Sequence, residues 1–382
     1  MANYLLINDE QADLLNSIKE ILHKELAPYV KEYDQKGEFP MHVLKKLNEA
    51  GFHSLNLPTR YGGLGIDKVT ECLVMEEFAK VDAGFAFSYL TSGILFGFYE
   101  YNPDVSEELR AYAADRLING DITAFALTES DAGSDAAAIK TTAKKVGDEY
   151  ILNGTKCFIT NGGIADFYTV AAVTDKTKGT NGISLFLVEK DRGVQCGKEE
   201  EKMGLRLSNT VELIFDDVKI PAANLLGREN YGFKYVMHEM NLARPVNMAF
   251  AVGIAQAALD YAVKYAKERV TFDKPIIQHQ GVGFMLADME MLTQAARSMV
   301  LYAAMAIDKG LPLGTLSSTT KTFASEACMK VTTDAVQVLG GYGYMKDYPV
   351  EKLMRDAKIF SIFEGTNQIQ RMVTSNILAR SK

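Results

Sequence analysis

Residues 141–160 read Thr-Thr-Ala-Lys-Lys-Val-Gly-Asp-Glu-Tyr-Ile-Leu-Asn-Gly-Thr-Lys-Cys-Phe-Ile-Thr, and this stretch decides the predicted fold class. Its short segments are rich in β-branched and aromatic residues, and the turns Val146-Gly147-Asp148 and Leu152-Asn153-Gly154 separate them. This alternation is typical of short strands joined by tight turns. We therefore expect a small antiparallel β-barrel or sandwich in the middle of the chain. The predicted strands are Thr141–Val146, Glu149–Leu152, Lys156–Thr160, Tyr168–Val173, Ile183–Glu189 and Thr210–Val218.

Helical periodicity flanks this β-rich region on both sides. The N-terminal helical stretches are predicted at residues 8–36, 40–51, 67–81 and 106–118. The C-terminal stretches lie at 233–269, 277–309, 314–340 and 348–378, in the size range of a four-helix bundle. The chain is therefore predicted to be α+β with three domains. They are an all-helical domain at residues 1–122, a β-domain at 123–229 and a helical bundle at 230–382.

Composition excludes several classes of function. The chain has 382 residues, and its net charge of −8 argues against nucleic acid or an anionic membrane as the main partner. Its four cysteines form no C-x-x-C pair, so we expect neither a disulfide framework nor a zinc site. The first residues lack a basic segment followed by an apolar one, so no signal peptide is expected. Together these features predict a soluble, cytoplasmic protein with no bound metal.

One candidate catalytic carboxylate lies in the segment 361–371, which reads Ser-Ile-Phe-Glu-Gly-Thr-Asn-Gln-Ile-Gln-Arg. Glu364 precedes a glycine, which permits close approach of a ligand to the backbone. A carboxylate in apolar surroundings also gains basicity by desolvation. An isolated Glu-Gly-Thr is more often an ordinary helix start, so the assignment depends on the rest of the chain. The sequence has no nucleophile elbow, P-loop or zinc-hydrolase motif.

Three further segments are candidate ligand sites. The hydroxyl-rich stretch Thr123–Asp135 offers donors to a polar ring or a phosphate, although such turns are common. Phe158 and Thr160 share one face of a predicted strand, which suits a flat heterocycle or simple core packing. Arg269 follows a long helix, where it could hold a diphosphate or only complement the helix dipole.

In combination, these segments resemble the acyl-CoA dehydrogenase family, flavoproteins that oxidise or reduce the α,β bond of acyl-CoA thioesters. The resemblance covers nearly the whole chain, in family order and at family spacing. The matching segments are Ala124–Asp135, Ile151–Gly162, Lys202–Pro221, Glu268–Gln280, Gln337–Gly343 and Tyr348–Arg371. The family fold has a helical domain, a β-domain and a C-terminal bundle, which is the order that the periodicity predicts.

The resemblance implies FAD as the cofactor. The residues implied to line the flavin and its pyrophosphate are Phe125, Leu127, Thr128, Ser134, Phe158, Ile159 and Thr160. Those implied to hold the adenosine diphosphate part, from a neighbouring subunit, are Arg269, Thr271, Phe272, His279, Gln280, Gln337, Gly340 and Gly341. Further contacts to FAD are implied for Thr366, Gln368 and Ile369. A dimer would complete each FAD site in this arrangement, and the resemblance implies a homotetramer built as a dimer of dimers.

The resemblance also implies the substrate site. Residues in positions that contact the thioester and CoA are Ser134, Ser184, Asn241 and Arg244, and those implied for the acyl group are Phe87, Leu90, Phe363 and Gly365. Glu364 occupies the position of the family base, whereas the alternative base position is Ala243, which cannot act. Bulky side chains in the pocket favour a short, branched or cyclic acyl group.

The implied reaction is α,β-dehydrogenation of an acyl-CoA, in which Glu364 removes the α-proton and flavin N5 takes the β-hydride. Electrons would then pass to an electron-transferring flavoprotein. The same residues fit an enoyl-CoA reductase that runs this chemistry in reverse. A non-catalytic scaffold with the same fold is disfavoured because Glu364, Thr160 and Arg244 are intact. An acyl-CoA oxidase is a lesser alternative.

Overall fold

Helices occupy the chain before residue 123 in the computed structural model, which describes residues 7–380. They are α1 (Asp9–Glu25), α2 (Val30–Lys36), α3 (Met41–Glu49), α4 (Lys68–Val81), α5 (Ala83–Leu95), α6 (Gly97–Glu100) and α7 (Glu107–Ile118). The predicted stretch 8–36 is divided by a 3₁₀ turn at Ala27–Tyr29. Pro28 causes this break, because proline lacks a backbone N–H and disfavours helical geometry in the residue before it.

A single seven-stranded sheet follows the N-terminal helices. Its strands are β1 (Thr123–Ala126), β2 (Thr142–Val146), β3 (Glu149–Thr160), β4 (Phe167–Val173), β5 (Ile183–Glu189), β6 (Gln195–Glu199) and β7 (Thr210–Pro221). The strand order is β1-β4-β2-β3-β7-β6, with β5 paired to β4. Most pairs are antiparallel, but β4 runs parallel to β1 and to β2. The predicted helical–β–helical order is confirmed.

Strand β3 corrects the prediction of two separate strands at Glu149–Leu152 and Lys156–Thr160. The Leu152-Asn153-Gly154 segment is an irregularity within one strand, since the pairing of β3 with β7 shifts register there and again between Lys156 and Ile159. The second shift leaves Phe158 at a positive φ of 59°. Bulges of this kind redirect side chains without ending a strand.

The C-terminal bundle is formed by α8 (Gly232–Glu268), α9 (Gln280–Asp308), α10 (Leu316–Leu339), α11 (Val350–Ala357) and α12 (Asn367–Arg380). A two-stranded hairpin, β8 (Val270–Thr271) and β9 (Lys274–Pro275), connects α8 to α9. The prediction of one helix over 348–378 is wrong, because residues 362–366 lie outside any helix. In the part of the chain that is described, α8 alone has the length and hydropathy of a membrane span, and 78% of its apolar window is buried in the fold. These properties are those of a core helix.

Buried ion pairs join the three regions. The Lys352 Nζ on α11 donates to Asp82 between α4 and α5 at 2.5 Å, and to Asp356 at 2.5 Å. The backbone N–H of Leu205, from the β-rich region, donates to Asp356 Oδ1 at 2.7 Å. One cation and two carboxylates therefore tie all three regions together beside the loop at residues 362–366.

Candidate active site

The loop at residues 362–366, which we call the base loop, carries Glu364 in a strained backbone conformation. Glu364 has a φ of +58° and Gly365 a φ of +81°. A positive φ is uncommon for a residue other than glycine, and it is retained where the surrounding structure imposes it. At Gly365, a Cβ would also lie 2.6 Å from Gln370 Nε2. The loop therefore requires glycine after Glu364.

Three side chains hold Glu364 in place. The Arg244 Nε donates to the Glu364 carbonyl oxygen at 2.8 Å, and the Gln370 Nε2 donates to the same oxygen at 3.1 Å. The Asn247 Nδ2 donates to Glu364 Oε1 at 3.1 Å. Glu364 Oε2 is buried and has no hydrogen-bond partner among residues 7–380. One carboxylate oxygen is thus fixed, while the other remains available to accept a proton.

The surroundings of Glu364 make it more basic than an exposed carboxylate. Burial raises the pKa of Glu364, and the charge of Arg244, the Asn247 hydrogen bond and the charge of Lys321 lower it only in part. The Lys321 Nζ is itself buried and donates to Asn367 Oδ1 at 2.8 Å. Burial lowers the pKa of Lys321 to about 8. The site therefore combines a basic carboxylate with two nearby cations.

Sequence reasoning identified Glu364 and Arg244 but missed Asn247, Lys321 and Gln370. Asn247 could have been found, because it lies four residues after Ala243 and so shares the helix face of the alternative base position. Lys321 lies on another helix of the bundle, and nothing in the local sequence connects it to the base loop. Only the packing of α10 against α8 and α12 brings it close.

Aromatic side chains form one wall beside the base loop. The Phe87 ring on α5 stacks on Phe363, with 5.1 Å between centroids, and contacts the Phe250 ring at 5.5 Å. Tyr89 points away, since it stacks on Phe78 and Phe85 within the N-terminal core. Phe87 and Phe363 therefore meet next to Glu364, as their predicted role in the acyl pocket requires. Leu90 is half-buried on the same helix.

The loop after β1 is anchored by a buried ion pair. The Lys156 Nζ, which is fully buried, donates to the Leu127 carbonyl oxygen and to Glu129 Oε1, both at 2.8 Å. The Cys157 N–H donates to the Thr128 carbonyl oxygen at 2.9 Å. Burial lowers the pKa of Lys156 to about 8. The candidate flavin residues of this loop are thus held against β3.

Two candidate flavin residues on β3 face opposite ways. The Phe158 side chain is 63% exposed, so it does not pack in the core. Ile159 is buried, so only its backbone could reach a ligand. Thr160 is half-buried at the end of the strand. An exposed aromatic ring beside a hydroxyl is suited to stacking against a planar heterocycle.

The candidate adenosine diphosphate residues gather at a separate place, around the β8–β9 hairpin and the end of α10. A cavity of about 460 Å³ is lined by Arg269, Thr271, Gln337, Gly340 and Gly341. Phe272 at the hairpin tip is 88% exposed, and the ring of His279 lies 5.9 Å from it. These residues make none of the contacts to Glu364 described above. One chain therefore presents two distinct candidate parts of the cofactor site.

A second cavity, of about 590 Å³, opens beside the base loop. Of the candidate flavin contacts at the start of α12, Thr366 and Gln368 line this cavity, together with Ile362 from the base loop. The structure thus places these two residues next to open space on the outer side of the loop.

The candidate thioester residues have different surroundings. Ser184 is fully buried, and its hydroxyl already accepts the Asn230 N–H at 2.7 Å and lies 2.8 Å from Thr174 Oγ1. Ser134 lies exposed in the loop after β1. Asn241 is half-buried on α8, and its carbonyl oxygen lacks a helical donor because Pro245 has no N–H. The structure does not bring Ser184 to a free surface.

Comparisons with known proteins identify one family along nearly the whole chain. Models of the N-terminal, middle and C-terminal domains of acyl-CoA dehydrogenases match residues 8–121, 124–218 and 230–379. The chain is 45% identical to an acyl-CoA dehydrogenase of Bacillus subtilis, over 97% of this chain and 98% of the relative.

Solved structures show the same agreement. A chain in the structure of the electron transferring flavoprotein of Acidaminococcus fermentans is 44% identical and has a TM-score of 0.95, covering 99% of this chain and 100% of the other. Butyryl-CoA dehydrogenase from Megasphaera elsdenii is 42% identical and has a TM-score of 0.93, covering 98% and 99%.

Proposed function

Because the chain belongs to the acyl-CoA dehydrogenase family, we propose that it catalyses FAD-dependent α,β-dehydrogenation of a short, branched or cyclic acyl-CoA, with Glu364 as the base. The observation that carries this proposal is the state of the Glu364 carboxyl group. It is buried, one oxygen is held by Asn247, and the other oxygen has no partner among the described residues. A carboxylate with raised pKa and one free oxygen is suited to abstract a weakly acidic proton.

The residues present fit FAD. The exposed Phe158 ring and the anchored loop at Leu127 and Thr128 would hold the flavin ring, and the cavity at Arg269 would hold the adenosine diphosphate part. A Cβ added at Gly340 or Gly341 would meet no atom within 4 Å, so the backbone there is open to a ligand. Bound FAD would supply a hydride acceptor for the β-hydrogen of the substrate.

The chain's own residues perform the proton transfer. Arg244 and Gln370 fix the carbonyl group of Glu364. The Glu364 N–H has no hydrogen-bond partner within residues 7–380 and is available to the thioester carbonyl oxygen. A hydrogen bond to this oxygen stabilises the negative charge that develops as the α-proton leaves. Glu364 Oε2 accepts that proton.

The size of the acyl group follows from the aromatic wall. Phe87 contacts both Phe250 and Phe363 beside the base, so the space for a chain past the reacting carbons is short. Butyryl-CoA dehydrogenase, to which this chain is similar, is named for a short acyl group. These observations support a short substrate.

Partners are also part of the proposal. Similarity to a chain of an electron transferring flavoprotein structure supports such a protein as electron acceptor. The bundle exposes large apolar side chains, which supports a homotetramer. Those that are at least 60% exposed in the described part of the bundle are Phe272, Phe284, Met291, Tyr302, Tyr344 and Leu378. We retain the division into an N-terminal domain to residue 122, a β-domain to residue 229 and a bundle beyond it, and a cytoplasmic location.

Reduction of an enoyl-CoA is a second candidate. Its proton donor would be the protonated form of Glu364, and burial favours that form by raising the pKa. The geometry of the base loop serves both directions.

Absorption spectra of the purified protein test the proposal. We expect a yellow FAD-containing protein whose flavin absorbance is bleached by a short acyl-CoA in the absence of oxygen. Reoxidation by an electron-transferring flavoprotein would support the dehydrogenase direction, and turnover of the enoyl-CoA with a reduced donor would support the reductase. A colourless protein, or a flavin that no short acyl-CoA bleaches, would refute the proposed function. The non-catalytic scaffold with the same fold would then be favoured.

A further inference from the structure

A second buried carboxyl group, Glu239, lies on α8 near the base and has no role in the chemistry above. Glu239 is 4% exposed, and its Oε2 atom is buried without a hydrogen-bond partner in the described part of the chain. Several other buried acids among the described residues are ion-paired, as Glu76 is with Arg297 and Asp82 with Lys352. An unpaired buried carboxyl costs free energy, so its retention points to a partner that binds later.

The position of Glu239 on α8 connects it to the reacting end of the pocket. Glu239, Ala243 and Asn247 are spaced by four residues and therefore form one stripe along the helix. Asn247 holds the base at one end, and its Oδ1 is also buried and unpartnered among the described residues. Ala243, which lies between Glu239 and Asn247, presents only a methyl group. Glu239 lies one turn from Ala243, about 6 Å along the helix axis.

The Glu239 carboxyl group is closely packed by its neighbours. Gly97 on α6 packs so closely that a Cβ there would overlap Glu239 Oε1. The charged or titratable groups within electrostatic range include Lys68, Glu71, Tyr101 and Glu364. Burial raises the pKa of Glu239 to about 8, with Glu71 and Glu364 adding to the rise and Lys68 opposing it. A protonated carboxyl group can both donate and accept a hydrogen bond.

We propose that Glu239 is a specificity-determining residue, which hydrogen-bonds to a hydroxyl group on the acyl chain a few carbons beyond the bond that is oxidised. This inference rests on the proposed function and narrows its substrate to a short hydroxyacyl-CoA. A site with an unpaired buried polar group discriminates strongly against an analogue that leaves the group unpaired. The buried Asn247 Oδ1 extends the same polar stripe and favours a polar chain over a purely aliphatic one.

Matched substrate pairs test this inference. The probes are 4-hydroxybutanoyl-CoA against butanoyl-CoA, and 5-hydroxypentanoyl-CoA against pentanoyl-CoA, with anaerobic flavin bleaching as the measurement. We expect kcat/KM for at least one hydroxylated probe to exceed that of its parent by about 10-fold or more, the value of one hydrogen bond to a buried polar group. If the wild-type protein prefers neither hydroxylated probe over its parent acyl-CoA, the inference is overturned.

Variants separate a direct contact from a structural role. Glu239→Leu should abolish the preference or reverse it, whereas Glu239→Gln, which keeps a donor and an acceptor, should retain most of it. Gly97→Ala should weaken the preference by displacing the carboxyl group, and Met240→Leu, one residue along the helix, should leave it unchanged. An unaltered ratio in both Glu239→Leu and Gly97→Ala would overturn the inference while butanoyl-CoA bleaching still supported the proposed function. If no probe bleaches the wild-type flavin, the proposed function itself fails.

Discussion

Glu364 shows how much a single residue's function depends on its immediate surroundings. Its positive φ sets the direction of its side chain and backbone N–H. Arg244 and Gln370 hold the loop by donating hydrogen bonds to the Glu364 carbonyl oxygen. Burial raises its pKa, and Asn247 limits the rise. Strain, burial and hydrogen bonds therefore act on the same residue, and this combination is common at catalytic positions.

The first prediction concerns the base itself. Glu364→Gln keeps the size and most contacts of the side chain but cannot accept the α-proton. We expect the variant to bind FAD normally and to lose at least about 100-fold in the rate of flavin reduction, as removal of a general base does. Stopped-flow bleaching with a short acyl-CoA measures this rate. A variant with a near-normal rate would show that another group is the base.

The second prediction concerns the pH dependence of dehydrogenation. The base acts when ionised, so the rate falls as pH drops below the pKa of Glu364. The side chain of an exposed glutamate has a pKa of about 4.3. Because burial raises the pKa of Glu364, the acid limb of the pH–rate profile should lie above that value. Asn247→Val removes a hydrogen bond that lowers the pKa, so the limb should move to still higher pH.

The measurement is the rate of flavin reduction across the pH range in wild type and Asn247→Val. Asn241→Ala on the same helix serves as the control, because Asn241 does not contact the carboxyl group of Glu364. If the acid limb of Asn247→Val lies at the same pH as in wild type, the Asn247 hydrogen bond does not lower the pKa of Glu364.

At the scale of elements, the base loop is positioned by helices from two regions of the chain. Lys352 on α11 binds both Asp82, at the α4–α5 junction, and Asp356. Asp82 and Asp356 are essentially inaccessible to solvent. These ion pairs lie between the helix that carries Phe87 and the segment that leads to Glu364. They therefore fix the position of the helix that carries Phe87 relative to the segment that carries Glu364.

The third prediction tests this connection. Lys352→Met keeps the aliphatic length but leaves two buried carboxylates without their cation. We expect a loss of about 3–5 kcal/mol in stability, the usual cost of breaking a buried ion pair by removing one partner. Thermal unfolding of the FAD-bound protein measures the change. Lys31→Met removes an exposed pair with Asp347 and should have little effect; an equally small effect for Lys352→Met would contradict the prediction.

Elements were predicted well where the periodicity is strong and poorly where the tertiary structure interrupts it. The apolar repeat of α4, α8, α9 and α10 predicted each helix within a few residues of its bounds. The strand β6 was missed, because Gln195–Glu199 is polar and largely exposed and has no alternating pattern. The break at 362–366 was missed although Gly365 is a poor helix former, because apolar residues continue on both sides of it.

At the scale of the whole molecule, the two halves of the candidate cofactor site lie apart on one chain. The flavin residues surround Phe158, and the adenosine diphosphate residues line the cavity at Arg269. The hairpin tip at Phe272 is 88% exposed and is followed by Asp273 at a positive φ of 66°. This exposed hairpin is suited to reach a neighbouring subunit, as the proposed tetramer requires.

The fourth prediction follows from this arrangement. Arg269→Ala removes a cation that would pair with the diphosphate, and charge-assisted hydrogen bonds contribute about 1.5–3 kcal/mol. FAD affinity should fall by roughly 10- to 100-fold, so the variant should purify with little flavin. The ratio of flavin to protein absorbance measures occupancy. Arg192→Ala, at a turn of the β-domain, is the control, and full occupancy in Arg269→Ala would refute the anchor role.

The sequence by itself determined the order of the three regions and the family, and it supplied Glu364 as the candidate base. These depend on periodicity and on short motifs, which are local properties of the chain. The segments of Glu364 and of the pair Phe158 and Thr160 drew attention to these residues, but each segment also had an ordinary structural interpretation. The resemblance of six ordered segments to one family, which also implied Arg244, was needed to assign their roles.

Only the tertiary structure decided the environment of those residues. It placed Asn247 and Lys321 around Glu364, showed Ser184 to be fully buried, and left the Glu239 Oε2 without a partner in the described part of the chain, beside Gly97. The physical reason is that burial and hydrogen bonding depend on contacts between distant segments. Because desolvation sets the pKa of a carboxyl group, the sequence can name Glu364 as the candidate base, but the basicity of that group follows from the fold.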